Sequence, residues 1–218
     1  MKTKFALVSD FDGTISDDDF FFYITDKYSN QISLEPWQQY LDGKKTHFDA
    51  LKEIFAQLCI DKNEFDKLVQ KVRIDHKFFK AAELCNQLSI PLCICSAGCD
   101  YYIRILIGDE LKKYNITLIT NPSSYDEVSG LKLLRPSDEL YYYDFDTGVA
   151  KNKVVKKLQN EGYKVIYCGD GIPDFGASKI ADVVFAKKTL LKKCLNAQIS
   201  TLPFGDFDDV LKFIKENT

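Results

Sequence analysis

Apolar and polar positions change period twice along the chain. Phe5-Ala6-Leu7-Val8 is a continuous apolar run, the pattern of a strand buried on both faces of a parallel sheet, and it stops on Ser9-Asp10-Phe11-Asp12-Gly13-Thr14. The spacing then turns helical for about sixty residues. Asp17 to Asp19 are acids of the N-cap type ahead of Phe20-Phe21-Phe22-Tyr23-Ile24, and further helical stretches run over 36–41, 48–59 and 62–72, with no convincing strand among them. From Phe78 onward strand and helix alternate. The pattern predicts helix over 78–88, strand over 90–95, helix over 101–114, strand over 116–120 and a turn at Ser129-Gly130. It continues with helix over 151–161, strand over 164–168, helix over 175–180, a short strand over 183–185 and a last helix over 206–216. This alternation predicts an α/β fold with a doubly wound, mostly parallel sheet. The helical block at 16–77 interrupts the alternation directly after strand one. It is read as an all-helical cap inserted at the catalytic end of the sheet, with residues 1–15 and 78–218 forming the core domain.

Composition narrows the class. The chain has 218 residues, 45% of them hydrophobic and 28% charged, the profile of an ordinary globular protein with one well-buried domain and a modest insertion. A net charge of −3 gives none of the basic excess that marks nucleic-acid binding. The seven cysteines lack metal-ligand spacing; Cys93 and Cys95 stand two apart inside an apolar run, too close for a zinc pair. Buried free thiols in a reducing compartment are the expectation. Met1-Lys2-Thr3-Lys4 leads straight into the first strand, and no apolar run approaches a membrane span, so a cytoplasmic protein without a membrane partner is expected. The pattern specifies no oligomeric state.

The strand ends carry the chemistry. An apolar strand gains nothing by ending in two carboxylates, and like charges in one loop mouth raise the cost of ionisation. A divalent cation relieves that repulsion, and hard cations prefer oxygen ligands. Three later segments share the grammar of apolar strand, small or polar residues, then helix. Leu92-Cys93-Ile94-Cys95 ends on Ser96-Ala97-Gly98, whose hydroxyl and backbone N–H groups suit phosphate oxygens. Gly148-Val149-Ala150-Lys151 opens a helix, where a lysine opposes the macrodipole and implies an anionic partner. Val165-Ile166-Tyr167-Cys168 ends on Gly169-Asp170-Gly171-Ile172-Pro173-Asp174, two acids among glycines that again suggest a metal.

Asp10-Phe11-Asp12-Gly13-Thr14, Ser96, Lys151 and Gly169-Asp170-Gly171-Ile172-Pro173-Asp174, in that order across the whole chain, resemble the four motifs of the haloacid dehalogenase superfamily. The helical insertion after the first motif resembles the C1 cap of the phosphoserine phosphatase branch. Within that branch the likeness is to the MtnX-like phosphatases, which act on 2-hydroxy-3-keto-5-methylthiopentenyl-1-phosphate; 181–187 and Leu202-Pro203-Phe204 resemble them too. The resemblance implies a phosphatase of a small phosphorylated metabolite. Asp10 would be the nucleophile and Asp12 the general acid and base. Mg²⁺ would sit on the Asp10 carboxylate, the Asp12 backbone carbonyl and Asp170, with Asp174 binding it or orienting its waters. Ser96, Ala97, Gly98 and Lys151 would hold the phosphoryl oxygens. An acid at Asp12 favours phosphoryl transfer over carbon–halogen cleavage, because a halide leaving group needs no proton. A phosphotransferase or phosphomutase shares both aspartates, and a non-catalytic metabolite-binding protein shares the fold.

Plainer readings stand beside these. Asp170 and Ser96 also suit helix N-caps, Asp174 suits any helix N-terminus, and Lys153 competes with Lys151. In the cap, Asp19 stands where the branch carries a substrate-selecting acid, and equally suits the N-cap of the first cap helix. Phe20-Phe21-Phe22-Tyr23 covers most of a helix circumference, so part of it lines the substrate pocket or packs on the main domain, and Phe20 is taken as the pocket residue. His47 suits a place facing the cleft, but within Lys44-Lys45-Thr46-His47 a surface histidine is the preferred reading. Tyr141-Tyr142-Tyr143 suits a second pocket wall or a dimer contact. Methylthioribulose-pathway phosphates, phosphoserine, phosphocholine and polyol phosphates all remain as substrates.

Overall fold

The computed structural model describes residues 3–218. Its elements run β1 (Phe5–Ser9), α1 (Phe20–Lys27), α2 (Glu35–Leu41), α3 (His47–Phe55), α4 (Lys62–Val69), α5 (His76–Gln87), β2 (Leu92–Cys99), α6 (Asp100–Lys113) and β3 (Thr117–Asn121). Then come β4 (Ser123–Asp126), β5 (Gly130–Leu133), β6 (Tyr143–Asp144), β7 (Gly148–Val149), α7 (Lys151–Asn160) and β8 (Lys164–Gly169). A 3₁₀ turn at Ile172–Asp174 leads into α8 (Phe175–Ser178), followed by β9 (Val183–Ala186), α9 (Lys188–Asn196), β10 (Leu202–Pro203) and α10 (Phe207–Asn217). Six strands form one sheet in the order β10-β9-β8-β1-β2-β3, every pair parallel.

The apolar runs are continuous because both sheet faces are covered. Leu7, Ile94, Ile166 and Cys168 share a core with Ala81, Ala82 and Cys85 of α5 and Phe207, Val210 and Ile214 of α10. Their neighbours Val8, Cys93, Val165 and Tyr167 face the other way, onto Val154 and Val155 of α7. The period of two along each strand thus divides helices between the two faces, and β1 lies centrally, with β8 and β2 on either side. Among the described residues no helix is long and apolar enough to cross a membrane.

Helices α1 to α4 lie between β1 and α5. The two connections to them run side by side: Ser16 pairs with Ile74 in an antiparallel bridge, Asp17 N–H donates to the Arg73 carbonyl at 2.9 Å, and Asp75 N–H to that of Ile15 at 2.9 Å. The helices begin where acids and hydroxyls cap them. Asp19 accepts from Phe21 N–H, Thr46 from Asp49 N–H, Asp61 from Asn63 and Glu64 N–H, and Asp75 from Lys77 N–H.

Two local readings change, and the turn at Ser129-Gly130 stands within a hairpin whose strands the pattern does not predict. Ser96, Ala97 and Gly98 lie within β2, which runs on to Cys99 with a register shift between Cys95 and Cys99. The shifted residues are pinned by β3, where Thr120 Oγ1 donates to the Gly98 carbonyl (3.1 Å) and Asn121 Nδ2 to that of Ala97 (2.8 Å). The polar stretch around Ser129-Gly130 is the turn of a β4–β5 hairpin. This hairpin braces the inserted helices: Tyr125 stacks on Phe65 of α4 at 4.1 Å, and its hydroxyl donates to the Ile60 carbonyl. Finally, α9 fills a segment where no helix is predicted, burying Leu190 and Cys194 on one face.

Candidate active site

The loop after β1 is a tight turn built on Phe11, which is wholly buried. Its carbonyl accepts from Thr14, Ile15 and Ser16 N–H, while Asp10 N–H donates to the Cys168 carbonyl of β8 at 2.9 Å. Gly13 takes φ +69°, and a β-carbon there would run into the Asp170 carboxylate and Lys188 Nζ, so only glycine lets the two loops meet. Asp10 and Asp12 flank Phe11 and open on a cleft of about 380 Å³. Its floor is made by strand ends and its far wall by α1, α2 and α3, and its size suits a small molecule.

Charge on that floor is unbalanced. Lys151 Nζ, with its residue only 3% exposed, lies 2.8 Å from Asp10 Oδ1 and 2.5 Å from Asp174 Oδ1. One buried ammonium therefore faces two buried carboxylates, with Asp170 beside them. Burial, then the Asp174 and Asp170 charges, push the Asp10 carboxyl well above the usual carboxylate range despite Lys151. Burial and Asp174 likewise push Asp170 up. Burial pulls Lys151 down, but the Asp10 and Asp174 carboxylates outweigh it and hold the ammonium above its ordinary value. One oxygen from each of Asp10, Asp170 and Asp174 lies within 4.8 Å of the others. Hard oxygen donors, with more negative charge than the local ammonium groups balance, fit a small divalent cation.

Asp174 is fully committed within the protein. Its Oδ1 accepts from Lys151 and from the Tyr167 hydroxyl (2.6 Å), and its Oδ2 from the backbone N–H of Asp170 (3.0 Å) and Gly171 (2.9 Å). This carboxylate shapes the 169–171 loop and holds Lys151, which favours the indirect of its two expected roles. Among the described residues Asp170 instead meets only Thr14 Oγ1 (3.4 Å) and Lys188 Nζ (3.4 Å) through its carboxylate.

Asp12 sits in a different cradle. Its Oδ1 accepts from Phe20 N–H (3.2 Å), its Oδ2 from the Tyr102 hydroxyl, and Ser96 Oγ lies 3.4 Å away. Burial raises its carboxyl pKa, and the Tyr102 and Phe20 hydrogen bonds oppose that rise. Gly98 is needed here because a β-carbon would strike the Tyr102 hydroxyl and Asp12. Asp19 caps α1 and lines the cleft at once; burial, then the Asp12 charge, push it up to about 8.

The structure thus gathers Asp10, Asp12, Ser96, Ala97, Gly98, Lys151 and Asp170 around one cleft. Ser96 is not a helix cap: α6 starts at Asp100, and Ser96 Oγ accepts from Gly98 N–H at 2.9 Å, so that N–H already has a partner. Lys153 points away, donating to the Tyr143 carbonyl. Phe20 does not reach the cleft through its ring, which is 1% exposed and stacks on Tyr102 at 4.4 Å; Phe21 and Phe22 line the wall instead. The helix turns Phe20 inward because it must close over Asp12 with its own N–H. His47 is not a surface residue: it is 7% exposed and lines the cleft. Of the Tyr141-Tyr142-Tyr143 run, none lines the cleft, and Tyr142 packs under the sheet near Val8 and Cys93. Tyr102, Tyr167, Trp37, Tyr40 and Lys188 have no place in the sequence reading, since a buried tyrosine has the same pattern as any other core residue.

The family model described as "Putative Phosphatase" matches residues 5–203. The chain belongs to that family. It is a phosphatase with the haloacid dehalogenase fold. The phosphatase is 30% identical to Pdp3-interacting factor 1 of Schizosaccharomyces pombe, over 99% of this chain and 96% of that one. It is 29% identical to 2-hydroxy-3-keto-5-methylthiopentenyl-1-phosphate phosphatase of Bacillus mycoides, over 94% of each. It is 25% identical to polyol phosphate phosphatase PYP1 of Saccharomyces cerevisiae, over 98% and 93%. The phosphatase shares its fold with a substrate-bound phosphoserine phosphatase, at a TM-score of 0.68 and 15% identity over 98% and 99% of the chains. A phospho-aspartyl intermediate analogue of phosphoserine phosphatase aligns at 0.62 and 16% identity, over 97% and 99%.

Proposed function

We propose that this phosphatase hydrolyses the phosphate monoester of a small, uncharged alcohol, through a covalent phosphate on Asp10 and with Mg²⁺ bound. The carrying observation is the Asp10 carboxylate at the cleft floor, 2.8 Å from Lys151, with the Asp12 carboxyl opening on the same mouth. An Asp10 oxygen attacks phosphorus and the ester P–O bond breaks. Lys151 and Ser96 hold the phosphoryl oxygens, where their charge and dipole oppose the spread negative charge. Asp12, whose raised pKa suits a proton donor, gives its proton to the departing alkoxide. It then takes a proton from the water that attacks phosphorus, breaking the Asp10–phosphate bond and releasing inorganic phosphate. The Asp10 and Asp170 carboxylates and the Asp12 backbone carbonyl would hold the metal, which supplies Lewis-acid charge neutralisation when bound.

The far wall supports this substrate class. Phe21, Phe22, Trp37, Tyr40 and Leu41 bring aromatic and aliphatic surface, and the lining cations, Lys151 and Lys188, both come from outside α1 to α3. No Lys or Arg of these helices lines the cleft to meet the carboxylate of an amino-acid phosphate. The relatives named for a ketone-bearing methylthio ester and for polyol phosphates support the same class. The seven cysteines are free and six are buried, which supports a cytoplasmic setting. We take residues 16–77 as the cap that closes over the substrate.

Stripping with excess EDTA is expected to abolish turnover of a phosphate monoester, and added Mg²⁺ to restore it and to raise the melting temperature. Metal-independent turnover would overturn the metal assignment. Tyr102→Phe removes the hydroxyl that steadies the Asp12 carboxylate, so the Asp12 pKa must rise. The rate limbs due to Asp12 should move to higher pH, with kcat at neutral pH down roughly tenfold. An unshifted pH–rate profile would separate Tyr102 from the acid–base step.

A further inference from the structure

The far wall of the cleft holds a buried imidazole that the hydrolysis does not use. His47 is the first residue of α3, is 7% exposed and lines the cleft. Its Nδ1 is buried without a hydrogen-bond partner among the described residues. The ring packs edge-on against two others, Trp37 at 5.7 Å and 68° and Tyr40 at 5.3 Å and 81°. Its backbone is fixed from two sides: His47 N–H donates to Asp146 Oδ1 (3.1 Å) and Phe48 N–H to the Asp146 carbonyl (2.8 Å). Burial, then the Lys151 charge, push the imidazole down to about 4, so it is neutral, with one N–H donor and one acceptor lone pair. A phenylalanine would fill this aromatic corner without leaving a polar group unpaired, and an unpaired buried polar group is costly. His47 nonetheless lines the cleft, on the same wall as Trp37 and Tyr40.

We propose that His47 is a specificity-determining residue that hydrogen-bonds a hydroxyl or carbonyl oxygen on the alcohol of the phosphate ester. The inference rests on the reading that this alcohol lies against α1 to α3. Recognition of the phosphoryl group by the strand ends and of an oxygen by His47 would then select oxygenated esters over purely apolar ones. A site built around such a hydrogen bond rejects the analogue lacking it, because the buried group is then left unmet.

The test compares kcat/KM for a series of polyol 1-phosphates with that for phenyl phosphate, which has no oxygen beyond its ester. The wild type is expected to prefer the polyol esters. His47→Phe should lower the polyol-to-phenyl ratio by about tenfold or more, mainly through KM for the polyol esters. His47→Gln, which keeps a donor and an acceptor, should recover most of the ratio. An unchanged ratio in His47→Phe overturns the proposal, whether the rates hold or fall together, as they would for a merely structural residue. A glutamine variant as unselective as the phenylalanine variant overturns it too, as does a wild type that cleaves phenyl phosphate in preference to every polyol ester. A wild type that cleaves neither ester removes the underlying reading and the proposal with it.

Discussion

Asp10→Asn is expected to remove phosphatase turnover while leaving the fold intact. An amide oxygen is a poor nucleophile, and neither Asp174, with both oxygens committed, nor Asp12, cradled by Tyr102 and Phe20, can replace it. The loss in kcat should be on the order of 10⁴-fold or more, the scale seen when a covalent nucleophile is deleted. Stability should move the other way. Asp10 has a folded pKa raised above the unfolded value, chiefly by burial, so in the metal-free protein ionised Asp10 costs stability as pH rises above the unfolded carboxylate pKa. The isosteric amide removes that charge and leaves Lys151 paired with Asp174 alone. Metal-free Asp10→Asn should therefore melt no lower than metal-free wild type at pH 8, and Mg²⁺ should raise its melting temperature less. Activity above about a hundredth of wild type would exclude Asp10 as the nucleophile.

Much of this arrangement is legible before any coordinates exist, for a physical reason. The strands are buried on both faces, so a polar residue at a strand end breaks an otherwise apolar run and stands out. Asp10, Asp12, Ser96, Lys151, Asp170 and Asp174 are all found by that contrast. The supporting shell has no such contrast. Tyr102 and Tyr167 look like core aromatics, and only the fold reveals that their hydroxyls reach carboxylates 90 and 7 positions away. The β4–β5 hairpin is four residues a side, and its Ser123-Ser124-Tyr125-Asp126 strand buries little but the Tyr125 ring, so its periodicity is weak. His47 misleads more directly. Its neighbours Lys44 and Lys45 suggest solvent, but capping by Thr46 and anchoring by Asp146 turn the first residue of α3 inward. Phe20 errs in the opposite sense: the helix places its backbone, not its ring, at the site. Local pattern reports which residues are buried. Which buried residues meet depends on sequence-distant packing that period alone does not encode.

Lys151→Met should have the largest effect on stability, and one that depends on pH. The methionine fills a similar volume but leaves Asp10 and Asp174 buried with no cation between them, Asp170 adjoining. Breaking a buried ion pair by removing one partner typically costs about 3–5 kcal/mol, because the remaining charge stays desolvated. The sign of the pH dependence follows from the acids. Asp10 and Asp170 already have folded pKa values raised by burial and by the Asp174 charge, and without Lys151 both must rise further. A raised carboxylate contributes stability that is present below the unfolded value of about 3.9 and lost as pH rises through the folded value. The deficit of Lys151→Met against wild type should therefore be small near pH 5 and grow toward pH 8. Thermal melts across that range, with and without Mg²⁺, measure it directly. Added metal should recover part of the loss at pH 8, since it neutralises the same oxygens, yet phosphatase turnover should stay low because the phosphoryl group has lost its ammonium. A pH-independent deficit would show that Lys151 acts on the fold through packing alone. A deficit below about 1 kcal/mol at pH 8 would mean that water, not the ammonium, already screens the carboxylates.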